Sequence, residues 1–108
     1  MSKFDDFFDA VKGGAKDLAR TTIQDFATSA ETDARTFLED TKDDLRRWTG
    51  QLEQGELSTD EFASLLRGRV ALVQMAVLTA AGVALTRVQR LRDGLTDLVL
   101  NTAIDVFL

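Results

Sequence analysis

The sequence predicts an all-α protein: a long antiparallel helical hairpin with a short N-terminal helical segment, assembling into a four-helix or larger bundle. Three observations carry this. The 108 residues contain no Pro, the residue that most strongly breaks helix interiors. Apolar residues recur at steps of three and four along most of the chain, the spacing of one helix face. Only one stretch, 54–58, joins a turn composition to a strong helix-start signal. At this length the whole of 1–108 reads as one domain.

The first element spans about 3–12. Phe4, Phe7, Phe8 and Val11 share a helical face, and Asp5, Asp6 and Asp9 suit the positive end of a helix. Gly13 and Gly14 follow. Each is about 1 kcal/mol worse than Ala inside a helix, so an interruption is expected here. A long helix is expected over 15–53, its stripe carried by Leu18, Phe26, Phe37, Leu45, Trp48 and Leu52 and padded with Ala and Thr. Glu31 with Arg35, Arg35 with Glu39 and Asp43 with Arg47 are opposite charges four apart on its outer face. The turn at 54–58 centres on Gly55, with Trp48 and Gly50 closing the stripe just before it. Ser58 and Glu61 form a capping box, and Leu57 can staple onto Phe62. A second long helix is therefore expected to start at Thr59 and run to about 106, with Gly68, Gly82 and Gly94 inside it. It would be roughly 75 Å long at 1.5 Å per residue.

Within that helix, the sixteen residues Val70 to Leu85 carry no charge, and arginines flank them at 67, 69, 87, 90 and 92. A helix in a two-rod hairpin needs only one apolar stripe, yet this run is apolar all round. Leaving such side chains wet forfeits on the order of 1.5–3 kcal/mol each. The run is expected to be a seam between copies or with a helical protein partner, through Val70, Val73, Gln74, Val77, Leu78, Ala81 and Leu85. Gln74 reads as a polar contact inside or beside that seam. A membrane is the alternative partner, inserted into or lain upon through 70–86. A full span needs about 20 apolar residues, and the run has sixteen. The chain also ends on Phe107 and Leu108, expected to dock onto Phe4, Phe7 and Phe8 of the same chain or a neighbour.

Composition narrows the chemistry. There is no His and no Cys, so the usual general base, the commonest metal ligand and thiol chemistry are all missing. Glu39, Asp40, Asp43 and Asp44 form the densest acidic cluster, but Lys42, Arg46 and Arg47 sit among them. No enzyme activity, cofactor or metal is expected. The net charge of -5 disfavours nucleic acid, whose backbone calls for clustered Lys and Arg. Residues 1–61 hold 15 acids and 8 bases, a net of -7, whereas residues 62–108 hold 3 acids and 5 bases, a net of +2. The N-terminus lacks the basic-then-apolar order of a secretory signal, so cytoplasmic residence is expected.

Trp48-Thr49-Gly50 resembles the Trp-x-Gly turn of the small helical-hairpin effectors exported by type VII secretion. Those proteins are about this long, dimerise as four-helix bundles and carry the motif mid-chain. The resemblance implies a secreted hairpin effector. The chain departs from the family in having its turn signal at Gly55, in lacking any Tyr for the C-terminal export signal, and in the apolar character of its second helix. The functional expectation from the residues themselves is a non-enzymatic structural or assembly protein.

Overall fold

The chain is all-α, with four long helices packed together. In a computed structural model, which describes residues 2–108, they are α1 (Lys3–Thr22), α2 (Ala27–Glu53), α3 (Thr59–Ala71) and α5 (Leu85–Phe107). A short α4 (Ala76–Ala80) lies between the last two, and a 3-10 turn, Gln24–Phe26, joins α1 to α2. Successive long helices run in alternating directions. Phe8 lies beside Lys42 and Lys3 beside Glu53, so α1 and α2 are antiparallel. Asp33 meets Leu78 while Asp40 meets Arg69, which sets the chain after α3 against α2. Gly14 faces Leu98 and Gly94 faces Leu18, so α5 runs antiparallel to α1.

The expected two-rod hairpin is replaced by a shorter, thicker body. A rod of nearly 50 residues would reach roughly 75 Å, whereas the longest extent is 42 Å. Three boundaries account for the difference. Gly13 and Gly14 do not interrupt α1. Gly14 lets α5 approach, since a Cβ there would lie 2.8 Å from a methyl of Leu98. The break falls instead at Ile23, after the β-branched run Thr21-Thr22-Ile23, whose side chains lose rotamer freedom in a helix. Ile23 is fully buried and ends α1 outside helical geometry. Finally, the helix from Thr59 stops at Ala71 and does not reach 106.

The turn between α2 and α3 is built from local signals. Gly55 takes a left-handed conformation (φ 78°). The Glu56 N–H donates to the Gln51 carbonyl at 2.9 Å and the Gly55 N–H to that of Leu52 at 3.3 Å, a Schellman closure of α2. The Ser58 hydroxyl accepts from the Glu61 N–H at 3.1 Å, and the Glu61 carboxylate accepts from the Ser58 N–H at 3.0 Å. The capping box thus opens α3 at Thr59.

The core joins all the long helices. Phe7, Phe37, Phe62, Leu45, Leu66, Leu91 and Leu95 are among its largest fully covered members. At one end Phe4, Phe7 and Phe8 cluster, and the Phe7 and Phe107 ring centroids lie 5.5 Å apart. Leu108 stays 67% exposed, so the docking expected of it is not made. On the outer surface Glu31 pairs with Arg20 across α1 and α2, and Arg47 with Asp44 at 2.9 Å, in place of partners four residues away.

Candidate interaction surface

The uncharged run folds as two links around a single short helix. After α3 the Leu72 and Val73 N–H groups donate to the carbonyls of Arg69 and Val70, both at 3.1 Å. Met75 then adopts φ 47°, ψ 56°, a left-handed conformation that costs a non-Gly residue roughly 1–2 kcal/mol. No glycine or proline marks this break. It turns Met75 and Leu78 into the core, where their burial offsets the backbone cost.

A residue 44 positions upstream holds α4 in place. The Asp33 carboxylate accepts from the Val77 N–H at 3.1 Å and the Leu78 N–H at 2.7 Å. Asp33 is only 5% exposed. A carboxylate buried that deeply is tolerated because two N–H donors at a helix start compensate its charge. α4 has no cap from its own preceding residue. Sequence reasoning missed Asp33. The available signal was an acid on the buried stripe of α2, three residues after Ala30 and four before Phe37.

The far end of α4 closes by another Schellman motif. Gly82 has φ 83°. The Val83 N–H donates to the Leu78 carbonyl and the Gly82 N–H to that of Thr79, both at 3.1 Å. Leu78 and Val83, the apolar pair that accompanies such a motif, are both buried. Gly82 therefore ends a helix where a helix interior was expected. Around these links, Arg92 donates to the Val73 carbonyl, Arg69 to the Asp40 carbonyl at 3.2 Å, and Arg87 pairs with Asp25. The hydrogen bond from Arg87 holds the Asp25 carboxyl below the usual carboxylate range, and the same bond raises the Arg87 pKa.

These links divide the expected seam. Val70 and Leu78 belong to the intramolecular core, and Val73 packs partly against it. Gln74 and Ala81 are exposed. Val77 is 40% exposed and Leu85 73%. Leu72, outside the expected set, is 74% exposed. A groove of about 370 Å³ runs between α2 and the link, with Phe37, Arg69, Leu72 and Met75 among its walls. Thr41 also lines it, and its buried hydroxyl has no hydrogen-bond partner. Helical threonines at 21, 32, 49, 96 and 102 instead donate back to a carbonyl four residues earlier.

The hairpin-end residues lie in two places. Gly55, Ser58 and Glu61 build the turn and cap, whereas Trp48, Thr49 and Gly50 are inside α2. Trp48 is buried, with the Arg47 guanidinium 5.9 Å from its ring. The Trp-x-Gly stretch is thus helical and not a turn. Among the described residues no group of three or more acidic side chains is placed to hold a metal ion. No protein-family model matches the chain, and neither do any curated protein or solved structure.

Proposed function

We propose that this protein is a non-enzymatic assembly or adaptor subunit, resident in the cytoplasm, that joins a second copy or a helical partner through the exposed part of 71–85. One observation carries the reading: Leu72 and Leu85 stand almost three-quarters exposed in a stretch without a charge from 70 to 86. Scattered apolar residues are ordinary on protein surfaces. Here they share one uncharged stretch with Val77 and the exposed Ala71, Ala76, Ala80, Ala81 and Ala84, small residues that let helices approach closely. Covering a leucine fully is worth about 1.5–3 kcal/mol, so a few such side chains support a specific contact. The reading assigns no catalysis, since the chain has no His or Cys.

Light scattering on the purified protein tests it. The expected mass is a defined multiple of 11.9 kDa, returned to one copy by the double substitution Leu72→Asp, Leu85→Asp with helicity unchanged. Both positions are solvent-facing, so the fold should tolerate the charges. If instead the wild type is a single copy at high concentration and captures no helical partner, the reading fails.

A membrane partner is the second reading. The stretch Thr59–Ala80 is long and apolar enough by composition to meet a membrane, and about two thirds of its most apolar part is not buried. Its uncovered apolar side chains, Leu65, Leu72 and Val77, are those a lipid surface would cover. Flotation with liposomes tests this. Co-migration with lipid, lost in the same double variant, would favour membrane association over protein assembly.

A further inference from the structure

We propose that the protein binds a second copy of itself by exchanging α5, using 72–84 as the hinge that straightens into a continuous helix from α3 to α5. This goes beyond the surface association above, because the groove used is the one α5 already fills against α1 and α3. Every contact there, including Gly14 against Leu98, Leu18 against Gly94 and Phe7 against Phe107, can be made equally well by the α5 of another copy. Domain exchange reuses that interface, and the only new contact it needs is between the opened hinges.

The hinge has the required properties. Its first link, Leu72 to Met75, consists of residues a helix accepts, and it is bent by a buried methionine in left-handed geometry. Strained short links favour exchange. Its second link relies on Gly82 at φ 83°, where a Cβ would meet nothing within 4 Å. What keeps the hinge bent comes from other elements: the burial of Met75, Leu78 and Val83 in the core, the Asp33 carboxylate on the N–H groups of Val77 and Leu78, and Arg92 on the Val73 carbonyl. When straightened, the segment is an uncharged helix apolar on all sides, which lone chains cannot cover and paired chains can.

Two substitutions bias the hinge from different directions. Asp33→Ala removes the remote clamp. Gly82→Ala penalises the left-handed link and favours the straight helix without touching any neighbour. Each is expected to raise the dimer association constant at least about tenfold, read by light scattering, with a rise in helix content by circular dichroism. Should Asp33→Ala fail to fold, Gly82→Ala decides alone. The mode of association is read from a bis-maleimide cross-link between Asp25→Cys and Arg87→Cys, in a chain with no other Cys. Exchange links two chains, so a denaturing gel shows a doubled mass. Surface association links each chain to itself. Gly82→Ala remaining at 11.9 kDa, or dimers carrying only intrachain links, overturns the proposal.

Discussion

Glu61 and Ser58 show how much one pair of side chains can specify. Their two hydrogen bonds start α3, and the sequence alone is enough to read them because both partners lie within one turn. The Ser58 N–H, and then its hydroxyl, hold the Glu61 carboxyl below its ordinary pKa. A carboxyl lowered in the folded state stabilises above its unfolded pKa, and that contribution is lost as pH falls through the folded value. The thermal midpoint of Glu61→Gln is therefore expected to lie below wild type at pH 7, with the gap closing through the acidic carboxylate range. A gap that holds constant with pH would mean the charge contributes nothing. Asp33 is the opposite case. Its partners lie 44 and 45 residues away, and no short-range pattern announces them.

At the scale of elements, type was legible and boundaries were not. Period-3.6 stripes identify helices, but they do not say whether a weak residue breaks one. Gly13 and Gly14 look identical in sequence, yet a Cβ at Gly13 meets nothing, whereas one at Gly14 meets Leu98 at 2.8 Å. Gly13→Ala should therefore gain about 1 kcal/mol, raising the thermal midpoint by roughly 4–8 °C. Gly14→Ala should gain less or lose stability. Thermal unfolding of both variants checks the order, and equal midpoints would mean that α5 does not press on Gly14. The break at Leu72–Met75 was illegible for a different reason. Its cause is the burial of Met75 and Leu78 together with a carboxylate from α2, and both arise only once the other helices are in place. Gly82 was more readable, with Leu78 and Val83 at the spacing of a Schellman pair.

At the scale of the molecule, one neighbouring rod cannot shelter a straight helix over 70–85. That physics stands, but the segment is not one straight helix. Bending twice lets one chain supply four long helices, with Val70, Met75, Leu78 and Val83 inside and Leu72, Val77 and Leu85 outside. The uneven charge of the two halves becomes contact in the same way, as Arg69 and Arg87 of the second reach Asp44 and Asp25 of the first. The Phe7–Phe107 pair has a further consequence. It brings residues 2 and 108 to one end of the body, while Gln54 and Gly55 form an exposed turn. Joining the ends with a short flexible linker and cutting at 54–55 should give a circular permutant with the same spectrum and cooperative unfolding. Its order of synthesis would begin at α3 and place α1 directly after α5, turning their long-range packing into a local one and speeding folding. Stopped-flow refolding would reveal that acceleration, and a permutant that refolds no faster would show that closure of α1 on α5 does not limit the rate.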